Sequence, residues 1–122
     1  MAGKDEYYNR AKQEGYRARS AYKLKQLDET AGLFGPGNTV VDLGAAPGGW
    51  LQVASAAVGC CGTVLGVDFQ RIRDLELDNV ETVRGDMTDE ETKTELRERI
   101  GADGADVVVS DMAPNMTGEY SV

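Results

Sequence analysis

The residues of this chain best suited to chemistry are glycines and carboxylates at the ends of apolar runs. Val40-Val41-Asp42-Leu43 runs into Gly44-Ala45-Ala46-Pro47-Gly48-Gly49-Trp50, which reads as a strand passing through a glycine-rich turn into a helix. Main-chain amides at such a helix start favour an anionic group, and Pro47 suits a first helical turn. Gly44, Gly48 and Gly49 are spaced G-x-x-x-G-G rather than in the G-x-G-x-x-G pattern of a dinucleotide fingerprint. A ligand with a carboxylate and no pyrophosphate, such as S-adenosylmethionine, suits the wider loop. Taken alone, the glycines are weak evidence, because an ordinary strand-to-helix turn also uses them.

The acids add weight. Asp68 lies twenty residues after Gly48 at the end of a second apolar run, where a carboxylate can accept hydrogen bonds from both hydroxyls of a ribose. Asp86 follows a third run, in reach of an adenine edge. Asp111 follows a fourth, in Ser110-Asp111-Met112-Ala113-Pro114-Asn115. With Asp42, these four acids are expected at or near the carboxyl edge of a parallel sheet, where open α/β sheets bind ligands. Singly, each is as readily a solvated acid; together they mark a site.

Those carboxylates need a frame, and the rest of the chain supplies one. At 122 residues, with 41% hydrophobic and 28% charged residues, the sequence fits one modest soluble domain. No apolar stretch is long enough to span a bilayer, and the charged N-terminus lacks a signal-peptide core, so the expected location is cytoplasmic. The chain has no histidine and only Cys60 and Cys61, which disfavours a metal site and a disulfide framework. The two cysteines are expected as buried small residues in a reducing compartment.

Strands are expected at Thr39 to Leu43, Thr63 to Asp68, Val80 to Val83 and Asp106 to Ser110. A helix carrying Trp50, Val53, Ala54 and Ala57 on one face should end at Gly59. Another should open on a Thr88/Glu91 capping box, with Asp89 and Glu90 at its start and Arg97 and Arg99 before Gly101. Ahead of the first strand, Ala21, Leu24 and Leu27 recur at helical spacing with Ser20 as N-cap. The order helix, then β-α-β-turn-β-α-β, predicts a parallel α/β sheet with right-handed crossovers.

Charge is unevenly distributed. The chain carries −8 overall, but residues 1–25 hold seven basic residues against three acids, a net of +4, while the remainder carries −12. Tyr7, Tyr8, Tyr16 and Tyr22 are interleaved with those cations, a combination that can stack on bases and meet phosphates. A solvated, tyrosine-rich helical face is the alternative. The acidic excess, with only five lysines in the chain, resembles proteins of salt-rich, halophilic archaeal cytoplasm. High salt would shift RNA binding from charge towards shape and stacking.

Three segments together, Tyr16-Arg17-Ala18-Arg19-Ser20-Ala21-Tyr22-Lys23-Leu24, Val41 to Trp50, and Ser110 to Asn115, resemble the RrmJ/FtsJ family of RNA ribose 2′-O-methyltransferases, in the family's order. The likeness is nearest to archaeal members that act on a uridine of large-subunit (23S) ribosomal RNA; tRNA methylation is the alternative substrate class. The resemblance implies a Rossmann-like, S-adenosylmethionine-dependent methyltransferase fold, with only the first four parallel strands in this chain. Residues 1–28 would form an RNA-facing segment, and 29–122 the N-terminal half of the methyltransferase domain. It further implies that Gly48, Trp50, Asp68, Asp86 and Asp111 contact the cofactor. Lys23 and Asp111 match two members of the family's Lys-Asp-Lys-Glu catalytic group, whose second lysine and glutamate would lie beyond Val122. The chain is therefore expected to be inactive alone and to present its fourth strand as an exposed apolar edge.

Two readings from other classes stand beside this one. A non-catalytic module holding S-adenosylmethionine or RNA would use the same motifs. A nicotinamide-dependent oxidoreductase would share the fold, but the glycine spacing and Ser110 to Asn115 disfavour it.

Overall fold

The computed structural model describes residues 15–110. Its elements, in chain order, are α1 (Ser20–Ala31), β1 (Thr39–Leu43), α2 (Gly49–Val58), a 3₁₀ turn (Gly59–Cys61), β2 (Thr63–Asp68), β3 (Val80–Arg84), α3 (Glu90–Ile100) and β4 (Val107–Ser110). The four strands form one parallel sheet in the order β3-β2-β1-β4. Thr39 lies opposite Thr63, Val64 opposite Val80, and Val40 opposite Val107. The chain reverses direction of sheet growth between β1 and β4, as in half of a Rossmann-like sheet.

Alternation along the strands divides the core in two. Val40 and Val64, with partly buried Val80, Val107 and Val109, pack with Ala21 and Leu24 of α1 and Leu51, Val53, Ala54 and Val58 of α2. On the other face Val67 and Val83 pack against Leu96 of α3, with Leu43, Met87 and Ile100 at the margin. Both faces of the central strands are thus covered, which is why β1 and β2 read as nearly continuous apolar runs. Among the described residues β4 is an edge strand, and Val108 is 37% exposed there.

Several local expectations are corrected. Ser20 does not cap α1. Arg19 holds that position, the amides of Ala21 and Tyr22 bond to the carbonyls of Ala18 and Arg19, and the Ser20 hydroxyl accepts from Trp50 Nε1 at 3.2 Å. Leu27 is 56% exposed, while Tyr22 is buried beside Ala21 and Leu24. The Thr88/Glu91 capping box does not form either. The Thr88 amide and hydroxyl both donate to Asp86 Oδ1, at 2.9 and 2.8 Å, and α3 starts at Glu90 behind Asp89. Acids still occupy the first turn of α3, and Arg97 and Arg99 the last. Cys60 and Cys61 are exposed rather than buried, because Val58 and Gly62 take the interior positions of that tight connection.

Side chains also close the joints between elements. Asn79 Nδ2 donates to the carbonyls of Ser55 and Gly59, both at 3.0 Å, adding a second donor to acceptors that the Gly59 and Gly62 amides already engage. At the start of β1, the Thr39 amide donates to the Asp106 carboxylate at 2.8 Å, tying it to the residue before β4.

Gly66 shows how closely α2 approaches the sheet. A Cβ there would lie 2.7 Å from Leu51 Cδ1 and 3.0 Å from the Ala45 Cβ, and Leu51 is fully buried with no room to swing away. Gly66→Ala is therefore expected to destabilise the fold by about 1–3 kcal/mol through overpacking. A lowered urea midpoint with unchanged slope would show this; an unchanged midpoint would contradict it.

Candidate functional site

At the carboxyl end of β1 the chain must leave the sheet and turn into α2 within five residues, and β2 provides the acceptors that guide it. The amides of Gly44 and Ala45 both donate to the Val67 carbonyl, at 2.7 and 3.0 Å. The next amide, of Ala46, donates to Asp68 Oδ2 at 2.9 Å. The other carboxylate oxygen, Oδ1, accepts from the Gln70 amide at 2.8 Å. Asp68 thus anchors the glycine loop on one side and the start of the β2–β3 loop on the other. Its main-chain carbonyl also accepts from Gly85 at 3.0 Å, bringing the end of β3 into the same set of contacts.

Gly48 closes the loop at φ 115°, a conformation that side-chain-bearing residues rarely adopt, and it is buried. Pro47, expected in the first helical turn, instead lies ahead of it: α2 begins at Gly49 and the Ala46–Pro47 peptide is cis. The first α2 backbone bond at this end runs from the Gln52 amide to the Gly48 carbonyl. The amides of Gly49, Trp50 and Leu51 therefore lie in the turn whose donors an α-helix does not use internally. Trp50 is half-buried against the core, with its indole N–H on Ser20.

The acids separate into different roles. Asp68 and Asp86 sit at the carboxyl ends of β2 and β3. Asp42 does not belong to that open edge: it is 2% exposed within β1, opposite Gly66 and Val109. Its place, on the face shared with Val40, puts it under α2 rather than towards solvent. Asp86 is exposed, and the hydrogen bond from the Thr88 amide, followed by that from the Thr88 hydroxyl, holds its carboxyl below the usual aspartate range. Lys23 is exposed on α1. Asp111, and with it the Ser110 to Asn115 turn beyond its first residue, lies outside the described residues. Among the described residues no group of three or more His, Cys, Asp or Glu side chains is arranged to hold a metal ion, and no helix is long and apolar enough to cross a membrane.

Two participants escaped the sequence reading. The Arg17 guanidinium, counted there among the RNA-facing cations, donates to the main-chain carbonyls of Pro47, Arg73 and Asp74. Gln52 accepts from the Arg17 amide at 2.8 Å and donates to the Gly15 carbonyl at 2.8 Å. A signal for the second was present: Gln52 is a long polar side chain in the otherwise apolar or small sequence of α2. Phe69, directly after Asp68, is 63% exposed and adds an aromatic surface to this edge.

The model of the FtsJ-like methyltransferase family matches residues 16–122. The chain belongs to that family. The cofactor that accompanies the family and this fold is S-adenosylmethionine. The chain is 75% identical over 122 residues to a ribosomal RNA large subunit methyltransferase E from Haloquadratum walsbyi, covering 100% of this chain and 48% of that protein. It is 72% identical to the protein of the same name from Halorubrum lacusprofundi, covering 100% of this chain and 45% of the relative. The chain thus spans about half the length of these curated relatives. Among solved structures, a Plasmodium falciparum protein described as a ribosomal RNA methyltransferase superposes with a TM-score of 0.70 at 25% identity, covering 85% of this chain and 60% of its own.

Asp86 gives a pH test of the local geometry. A carboxyl whose folded pKa is depressed adds stability that is complete above its unfolded value of about 3.9 and is lost as pH falls through the folded value. Thr88→Val removes the hydroxyl bond and leaves the amide bond. The Asp86 pKa, followed by NMR of its carboxyl carbon, should then rise part of the way towards the ordinary value; an unmoved titration would show that the hydroxyl contributes nothing.

Proposed function

We propose that this chain forms the cofactor-holding part of an S-adenosylmethionine-dependent methyltransferase that modifies a ribose 2′-hydroxyl in RNA, with a uridine of large-subunit ribosomal RNA as target. One observation carries the reading: in a chain belonging to the FtsJ-like methyltransferases, the Asp68 carboxylate anchors the glycine loop at the carboxyl edge of the sheet. The names of these relatives supply the substrate class. Such work on ribosomal RNA belongs in the cytoplasm.

The residues present suit the cofactor. Each Asp68 oxygen accepts one amide and retains acceptor capacity that suits a ribose hydroxyl. Gly48, at φ 115°, lets the loop turn into α2, and the amides of Gly49, Trp50 and Leu51 suit a carboxylate at the start of that helix. Asp86, its rotamer fixed by Thr88, is assigned to the adenine edge, and Trp50 to the wall of the site. Bound there, S-adenosylmethionine supplies an electrophilic methyl group. A ribose hydroxyl attacking it is a weak nucleophile near neutral pH and needs a positioned base. Lys23 is assigned the orientation of that hydroxyl and the stabilisation of its developing charge, and Asp111 the border of the methyl group. Residues 1–28 are assigned to the RNA, and 29–122 to the cofactor.

Calorimetric titration in high salt tests the core of this reading. S-adenosylmethionine should bind in preference to NADH, and Asp68→Ala should weaken it by about 1.5–3 kcal/mol, roughly 10- to 150-fold, through lost charge-assisted bonds. Preference for NADH, or an unchanged dissociation constant in the variant, would refute the assignment. In a protein of the relatives' full length, Lys23→Ala should slow methyl transfer to ribosomal RNA while leaving cofactor affinity intact; normal turnover would remove Lys23 from the site.

A further inference from the structure

The Arg17 side chain joins the glycine loop to a part of the β2–β3 loop beyond the Gln70 contact of Asp68, through a fan of hydrogen bonds. Its Nη1 donates to the Pro47 carbonyl at 3.1 Å and to the Arg73 carbonyl at 2.6 Å, and its Nη2 to the Asp74 carbonyl at 2.7 Å. Its own amide is held by Gln52 of α2. The guanidinium lies against buried Gly48: a Cβ built there would be 3.4 Å from Arg17 Nη1 and 3.4 Å from Leu75 Cδ2. The β2–β3 loop is folded for this contact. Asp74 Oδ1 accepts from the Glu76 amide at 2.9 Å, and Ile72 and Leu75 pack onto the core beneath α1 and α2.

We propose that Arg17 is a positioning residue of the cofactor site, a latch that holds the glycine loop and the β2–β3 loop in the relative placement that S-adenosylmethionine requires, rather than a contact to RNA phosphate. The inference rests on the reading of this edge as the cofactor site and deepens it. Its chemistry is specific to arginine. Acceptors on two separate loops are met by a planar fork with five donors, which the single ammonium of a lysine cannot reproduce. All three acceptors are neutral carbonyls, so salt screens the latch far less than it would an exposed ion pair. Arg17 also lies in the basic segment assigned to RNA, so an RNA that moves this segment would alter cofactor affinity by way of Pro47 and the 73–74 backbone.

The test uses S-adenosylhomocysteine as the probe, titrated into this chain and its Arg17→Ala and Arg17→Lys variants. Thermal melting confirms that each is folded, and hydrogen exchange follows residues 70–78. RNA affinity is measured in parallel against salt on a large-subunit ribosomal RNA fragment. Arg17→Ala should raise the dissociation constant about tenfold or more and speed exchange in 70–78, with protection in β1 and β2 and the salt slope for RNA unchanged. Arg17→Lys should recover only part of the affinity, although it restores the charge. Equal affinity in Arg17→Ala and the parent chain would overturn the latch alone. So would a fall in the salt slope of about 0.7–0.9 with cofactor binding intact, the mark of one lost phosphate contact. Full recovery in Arg17→Lys would overturn the fork argument. A parent chain that takes up no S-adenosylhomocysteine would overturn the cofactor-site reading itself, and the latch with it.

Discussion

Three consecutive amides leaving β1, those of Gly44, Ala45 and Ala46, are all satisfied by the last two residues of β2. Much of the site follows from this. The loop can rise over the neighbouring strand only because Val67 and Asp68 offer acceptors in sequence, two from a carbonyl and one from a carboxylate. Without them the loop would carry open donors at the rim of the core, where each costs about 1–3 kcal/mol if it stays dry. The same contacts fix where α2 starts and hence where Leu51 meets Gly66. A residue assigned to ligand recognition is therefore also a structural strut.

Strand positions were legible because a buried parallel strand has a strong and unambiguous composition. Thr39 to Leu43 and Thr63 to Asp68 match the observed strands, and β3 and β4 differ from expectation by one residue each. Helix ends were less legible. Thr88 and Glu91 have capping-box spacing, yet Asp86 takes the Thr88 amide that Glu91 would accept from and makes the hydroxyl a donor, and the sequence does not rank the two arrangements. Ser20 was drawn away in the same manner by Trp50, thirty residues distant. Leu27 and Cys60 illustrate a third limit: apolar character states a preference for burial, whereas the geometry of a helix face or a tight turn decides who is granted it.

In the candidate site, the acids at the strand ends were legible because topology places every strand's carboxyl end on one edge. Asp42, expected at or near that edge, stands one residue before the end of a strand covered on both faces, and it is buried there. The contacts of Arg17 were not legible, because net charge counts a cation without regard to its acceptors. Three carbonyls contributed by residues 47, 73 and 74 become neighbours only after the sheet has formed.

The position of β4 has a consequence for the order in which the fold can assemble. Strands β1, β2 and β3 are neighbours in space in the order in which they are made, but the second edge of β1 is closed by a strand beginning at Val107. During synthesis at about 5–20 residues per second, that edge waits roughly 3–13 s for its partner. Until Asp106 is made, the Thr39 amide lacks the carboxylate acceptor that it has in the finished fold. A strand that is interior in the finished sheet is, for the length of that interval, an edge.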